Sequence, residues 1–211
     1  MKNCGDEAQD AGRDGVPGAY AFFARYILRP WHSCLDVGGG MGTGLQILKH
    51  RTKNVKSIDL DARLEKHGVT QGCIEDEPDK GYSWVIAIDS IEHNIDDVGF
   101  LSHCWRACRL GIFITTPNLA HHPDRKWPYH VREYTPQTLI ALFDQVAPGT
   151  SRLQLGGEVY GGNISLRHLS QAWEHQAVLC FKRGGGLARM MIRAREPWIM
   201  TRDCIRSHNK A

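Results

Sequence analysis

The chain lacks any apolar run near the roughly 18 to 20 residues needed to span a bilayer, so the sequence reads as a water-soluble globule. Its first twenty residues, MKNCGDEAQDAGRDGVPGAY, are polar and glycine-rich and lack the apolar stretch of a secretory signal. Residues 1–18 are expected to form a disordered leader. A disulfide framework is missing too. There is no CxxC pair, and the seven cysteines, at 4, 34, 73, 104, 108, 180 and 204, are odd in number and scattered. Cys34 and Cys180 fall inside apolar runs, where a reduced thiol behaves as a small hydrophobe. A reducing, cytoplasmic setting is expected. A basic core is absent as well. The net charge is +3, but residues 182–211 carry eight cations against Glu196 and Asp203, a net +6, which leaves about −3 for the rest. No nucleic-acid partner is expected for such a core. What is present, 42% hydrophobic and 23% charged residues in 211, suits one domain with a real core.

Short apolar runs alternate with helical patterns. Ala19–Leu28 reads as a helix, Cys34–Val37 as a strand, and the stretch with Leu45, Ile47 and Leu48 as the next helix. Val55–Ile58 is a strand ending in Asp59, Val69–Ile74 a weak one, and Trp84–Ile88 a continuous apolar run suited to a strand buried on both faces. Val98, Leu101, Trp105 and Cys108 stand at helical spacing behind a cap at Asp96 or Asp97. Leu110–Thr115 is a strand stopped by Pro117. Thr135-Pro136 opens a helix with a capping hydroxyl and proline at its first position, and Ser151–Leu155 and Ala177–Phe181 are the last two strands. This rhythm predicts an open, mostly parallel sheet with helices on both faces. A domain over 19–183 is followed, after the Gly184–Gly186 triplet, by a basic tail, 184–211.

The strongest local signal is Leu35-Asp36-Val37-Gly38-Gly39-Gly40-Met41-Gly42-Thr43-Gly44, between the first strand and its helix. Such a loop lets backbone approach a ligand closely and turns helix N-terminal amides towards an anionic group. The dinucleotide fingerprint G-x-G-x-x-G fails from each starting glycine, ending at Thr43, Leu45 or Ile47, which argues against a nicotinamide oxidoreductase.

The D-x-G-x-G-x-G pattern of Asp36, Gly38, Gly40 and Gly42 resembles that of class I S-adenosylmethionine-dependent methyltransferases, and the resemblance covers roughly residues 19 to 182. It implies a Rossmann-like α/β fold with a seven-stranded, mostly parallel sheet and a final antiparallel strand, and S-adenosylmethionine as cofactor. The loop would hold the cofactor's methionine part. Asp59, with Asp61 as the near alternative, stands where the family binds the ribose diol; one carboxylate can accept from two neighbouring hydroxyls. Tyr82-Ser83-Trp84-Val85-Ile86-Ala87-Ile88-Asp89-Ser90-Ile91-Glu92-His93 resembles the family's F-D-x-V-x-x-x-x-x-x-E-H segment, departing at Ser83, where the family usually has Asp. A second departure is Cys73, near where an acid often contacts the adenine amine; Glu75 or backbone groups at Ile74 would serve instead. Asp36, Asp59, Asp89 and the Thr115-Thr116-Pro117-Asn118 turn all fall at predicted carboxyl ends of strands, where parallel sheets bind ligands. Asp89 is thus added to the cofactor-binding set, and Glu92 and His93 are expected to face the reacting methyl. A strand-end cap for Asp89 and a surface imidazole for His93 are the plainer alternatives.

His130-Val131-Arg132-Glu133-Tyr134-Thr135-Pro136 resembles the acceptor-side loop of methyltransferases in glycan, lipid and secondary-metabolite pathways. His130 is a candidate base for an acceptor hydroxyl, since an imidazole of pKa ~6.5 titrates near neutrality. Arg132 would hold an anion or pair with Glu133; a structural loop is the alternative. No metal is expected: His103, Cys104 and Cys108 have helical spacing, but they interleave with core residues. Neither the [DN]-P-P-[YF] motif of DNA amino-methylating enzymes nor a Pro-Cys nucleophile is present. The expected reaction is therefore O-methylation of a small-molecule, glycan or lipid-linked acceptor, with His93, His130 and Glu92 on the catalytic side. A non-catalytic cofactor-binding or regulatory protein is the alternative. The tail's mix of Arg189, Arg193 and Arg195 with Met190, Met191 and Ile192 would either lie weakly on an anionic membrane surface or pack on the domain or across a homodimer.

Overall fold

The computed structural model describes residues 17–121, 123–124, 127–157, 167–168 and 174–182. The predicted leader, apart from its last two residues, and the 184–211 tail lie outside the described residues. Eight strands form one sheet: β1 (Cys34–Val37), β2 (Val55–Asp59), β3 (Thr70–Gln71), β4 (Tyr82–Ile88), β5 (Cys108–Pro117), β6 (Ser151–Gly157), β7 (Arg167–His168) and β8 (His175–Phe181). Their spatial order is β3-β2-β1-β4-β5-β8-β6-β7. Pairings from β3 across to β5 are parallel, while β8 runs antiparallel to both β5 and β6. The antiparallel final strand is as expected. The eighth strand is an addition, the two-residue β7 paired to the outer edge of β6.

Helices cover both faces, and alternation along the strands decides which residue meets which layer. On one face α1 (Pro17–Phe22), which widens into a π-helical turn over Phe23–Ile27, packs Tyr20, Phe22 and Phe23 with Trp84, Ile86, Phe113 and Leu179. On the other, α3 (Asp97–Ala107) and α4 (Pro136–Val146) bring Leu101, Cys104, Leu139 and Phe143 against Val85, Ala87, Ile112 and Val178. Burying each such side chain stabilises the fold by about 1.5–3 kcal/mol. Cys104 and Cys108 are fully buried free thiols packed in this second layer.

Capping follows the sequence closely. Asp96, not Asp97, caps α3 by accepting from the Gly99 amide, and Thr135 caps α4 in a reciprocal box with Thr138 behind Pro136. Two expectations change. Cys108 begins β5 rather than ending a helix, because α3 runs straight into the strand. The weak strand over 69–74 shrinks to Thr70–Gln71 between 3₁₀ turns at Ala62–His67 and Ile74–Asp76. Among the described residues no helix is long and apolar enough to cross a membrane.

Candidate active site

The site is built at the carboxyl ends of β1, β2 and β4. After β1 the chain enters the glycine loop, and Gly38, Gly40 and Gly42 all have positive φ, at 77°, 51° and 76°. A side chain is strained there, and at two positions space also forbids it. A Cβ on Gly38 would stand 2.3 Å from Ser90 Oγ, and one on Gly42 2.7 Å from the His67 carbonyl oxygen. The first constraint matters for assembly: Ser90 follows β4 and donates to the Val37 carbonyl at 3.1 Å, so glycine lets the β1 and β4 ends meet. The loop leads into α2 (Thr43–Lys49).

Asp36 is fully buried beneath this loop. Its carboxylate accepts from Tyr20 Oη at 3.0 Å and from Ser57 Oγ at 2.8 Å. Burial raises its pKa to about 6, against the lowering effect of those two hydrogen bonds. Asp36, expected among the cofactor contacts, thus braces the loop from below through Tyr20 and Ser57. The loop's amides are also braced: Gly38 and Gly39 both donate to the Ile58 carbonyl, and Gly42 donates to that of Gly39. The Gly40 amide donates to Asp59 Oδ2 at 3.1 Å, and the Asp61 amide to Asp59 Oδ1 at 3.1 Å. Asp59 is half-buried at the end of β2. Asp61, the alternative, is committed elsewhere: it caps the next turn and forms an ion pair with Arg63 at 2.8 Å. At the following turn the Ile74 side chain is buried, its carbonyl accepts from Glu77, and the Cys73 thiol contacts the Glu75 carboxylate.

At the end of β4 the chain kinks at Asp89, a non-glycine residue with φ 48°. Its Oδ1 accepts from Thr115 Oγ1 at 2.7 Å, and its Oδ2 pairs with His175 Nε2 at 2.9 Å. Burial opposes the Asp89 anion, but the charge and hydrogen bond of His175 outweigh it and hold the carboxyl below its usual range. Reciprocally, burial opposes the His175 cation and Asp89 raises its pKa nonetheless. His175 lies on β8, and the sequence pointed to neither it nor Tyr20 and Ser57.

Beyond Asp89 a 3₁₀ turn, Ile91–His93, carries Glu92 and His93 to the same edge. Glu92 is wholly buried, and neither carboxylate oxygen has a hydrogen-bond partner; the Thr116 hydroxyl faces it without ordinary hydrogen-bond geometry. Burial first and the neighbouring Asp89 charge second push its pKa well above the carboxylate range. The loop carrying His130 docks onto this turn through the Val131 and Arg132 amides, which donate to the Glu92 carbonyl at 2.9 and 3.2 Å. His93 and His130 meet edge to face, with ring centroids 4.9 Å apart. His93 Nδ1 lies 3.1 Å from the Tyr129 carbonyl oxygen, and His130 Nδ1 lies 2.8 Å from Glu133 Oε1. Burial lowers the pKa of His130 despite the adjacent Glu133.

Arg132 departs from expectation. It pairs with Asp97, which also accepts from Tyr134 Oη at 2.8 Å, while Glu133 is taken by His130. Ser83 departs in the opposite sense. It lies at the amino end of β4, bonded to Ser33, at the far edge of the sheet from Asp89 and Glu92, so its difference from the family pattern does not touch this site.

No family model matches the chain. A curated protein of Mycolicibacterium smegmatis, named "probable S-adenosylmethionine-dependent methyltransferase", is 28% identical over 126 residues, covering 52% of this chain and 49% of that protein. The matched region thus spans about half the length of that relative. Among solved structures, a SAM-dependent methyltransferase of Thermotoga maritima superposes with a TM-score of 0.64 at 13% identity, over 81% of this chain and 91% of that one. A chain from the complex between the Haloferax volcanii Trm112 methyltransferase activator and a methyltransferase superposes with a TM-score of 0.64 at 13% identity, over 83% and 95%. These likenesses establish the fold.

Proposed function

We propose, from the class I S-adenosylmethionine-dependent methyltransferase fold that this chain has, that it binds S-adenosylmethionine across the glycine loop and moves the methyl group to an acceptor oxygen. The observation that carries the reading is the coupling of three positive-φ glycines to Asp59 through the Gly40 amide. The fit to the cofactor is physical. The loop has no Cβ where a ligand would approach closely. Asp59 uses one lone pair of Oδ2 on the loop amide of Gly40 and one of Oδ1 on the Asp61 amide, and keeps others for a ribose diol. The turn at Cys73–Glu75, with Ile74 at its start, is assigned to the adenine, and Asp89 to the edge nearest the reacting carbon.

When bound, the sulfonium supplies an activated methyl group and leaves as the neutral thioether. The protein's part is to orient and to manage a proton. Asp36, Tyr20 and Ser57 fix the loop, and Asp59 fixes what lies on it. Glu92, His93 and His130 line the acceptor side, where an imidazole can take the acceptor's hydroxyl proton as the new oxygen–carbon bond forms and the sulfur–carbon bond breaks. A small-molecule, glycan or lipid-linked alcohol is the acceptor class that this arrangement and the His130–Pro136 segment favour. The fold neighbour solved with an activator protein makes a protein partner a subject for the same experiments. The alternative of a non-catalytic cofactor binder loses one of its two motivations, because Ser83 is remote from the site.

The direct test is calorimetry with S-adenosylhomocysteine and NAD. Binding of the first in the micromolar range without competition from the second is expected. Tight NAD binding with no response to S-adenosylhomocysteine would sink the proposal.

A further inference from the structure

We infer that Glu92, His93 and His130 form a binding site for a divalent transition-metal ion. One ligand atom from each residue lies within 4.8 Å of the others, a spread that small side-chain rotations close onto a single ion with bonds of about 2.0–2.2 Å. Two further observations point to a ligand. Glu92 is completely buried, yet both of its oxygens are without a hydrogen-bond partner. A buried carboxyl left in that state stays neutral unless something cationic completes it.

The imidazoles supply the second observation. His93 Nδ1 faces the Tyr129 carbonyl, a group that can only accept, so Nδ1 carries the proton and Nε2 keeps its lone pair. His130 Nδ1 faces the Glu133 carboxylate, which selects the same tautomer, and Trp127 stacks on the ring at 5.5 Å to fix its plane. A carbonyl behind one ring and a carboxylate behind the other are the outer contacts that metal-binding histidines use to orient the ring and raise its basicity. The two rings stand at 87° to one another and belong to segments tied together by the Glu92 carbonyl, so the cluster is held by backbone.

Two imidazoles and one carboxylate select Mn²⁺, Fe²⁺, Co²⁺ or Zn²⁺ over Mg²⁺ and Ca²⁺, which prefer all-oxygen shells. Three protein ligands leave a coordination position open, as in catalytic rather than structural sites. The consequence for catalysis rests on the methyl-transfer reading. With the ion held, a hydroxyl acceptor at the open position would be acidified, and its proton would leave to solvent in place of an imidazole, because both Nε2 lone pairs would be committed.

The test is a titration of untagged, chelator-stripped, full-length protein with Co²⁺ alone, followed by visible d–d absorption and calorimetry. One ion per chain is expected, undisplaced by excess Mg²⁺. Glu92→Gln and His130→Asn should each weaken binding by about tenfold or more. Glu133→Ala, on a partly exposed loop and therefore safe for folding, should weaken it by about 10- to 100-fold through loss of the carboxylate behind His130. Absence of d–d bands with the wild-type chain, or equal affinity in wild type and Glu133→Ala, overturns the site. S-adenosylhomocysteine calorimetry on the same preparation keeps the two ideas apart. Cofactor binding without cobalt binding removes only the ion, and cobalt binding without cofactor binding removes only the methyl-transfer reading.

Discussion

The two halves of the site solve opposite problems. In and under the glycine loop the polar groups described are spoken for: Asp36 holds Tyr20 and Ser57, the Ile58 carbonyl receives two loop amides, and Asp59 receives the loop amide of Gly40 and the amide of Asp61. At the acceptor edge, a wholly buried glutamate has no hydrogen-bond partner among the described residues, and one ligand atom from each of His93 and His130 lies within 4.8 Å of it. The first half is a surface braced by its own chain. The second is a cluster of ligand atoms that the inferred ion completes. Satisfied groups give shape and unsatisfied ones give chemistry, and the sheet order places one beside the other.

The largest expected effect breaks the two halves apart. His93→Ala should lower methyl transfer by about 10² to 10⁴, whether the imidazole takes a proton or holds an ion, and should leave S-adenosylhomocysteine affinity unchanged. A radiolabelled-methyl assay against hydroxylated acceptors, run beside calorimetry, checks both clauses; a parallel loss of affinity would mean that the halves are not separable.

Next in size is the charge under the loop. Asp36 has a folded-state pKa of about 6, above the ~3.9 of an unfolded aspartate, so the folded chain binds this proton more tightly. The cost of burying its anion is complete above about pH 6 and gone below about pH 4. Relative to Asp36→Asn, the wild-type chain should therefore gain on the order of 3 kcal/mol of stability as pH falls through that window. Urea unfolding of both proteins across the range measures it, and parallel curves would show that Asp36 titrates normally.

Smaller is the effect of Asp59→Ala, which should weaken cofactor binding by about 2 to 3 kcal/mol, as when charge-assisted hydrogen bonds are lost. Because Asp59 also accepts from Gly40, part of that loss reflects a loosened loop. Calorimetry with adenosine against homocysteine fragments separates the two, since only the ribose-bearing fragment senses the carboxylate directly.

Much of the first half was legible because it is local. The glycine spacing sits within one turn, and Asp59 follows from the end of the next strand. The contacts that finish it are not local. Tyr20 is 16 residues before Asp36, and His175 is 86 residues after Asp89, brought there only because the antiparallel β8 closes the sheet beside β5. Nothing in a single sequence marks such partners. The same limit explains Arg132, whose nearest acid along the chain is Glu133 but whose acid in space is Asp97, at the start of α3. Elements with strong periodicity or caps appeared where they were read. The two-residue β3 and β7 carry too little pattern to be placed without their neighbours.

Asp97 has one more consequence. It receives Arg132 and Tyr134 together, the Glu92 carbonyl receives Val131 and Arg132, and the Leu119 amide is tied back to Tyr134. The chain is therefore clamped at Leu119 and again from Val131 to Tyr134. His130 adjoins the second clamp, and it takes its position from that clamp together with Trp127, whose carbonyl accepts from the His130 amide and whose ring stacks on the imidazole. Trp127 and Tyr129, which contact His130 and His93, are therefore expected to be needed whenever the chain between the clamps is exchanged for a new acceptor. Altered specificity in this scaffold is accordingly expected to come from grafts between Leu119 and Trp127 that keep the contacts of Trp127 and Tyr129 with the imidazoles.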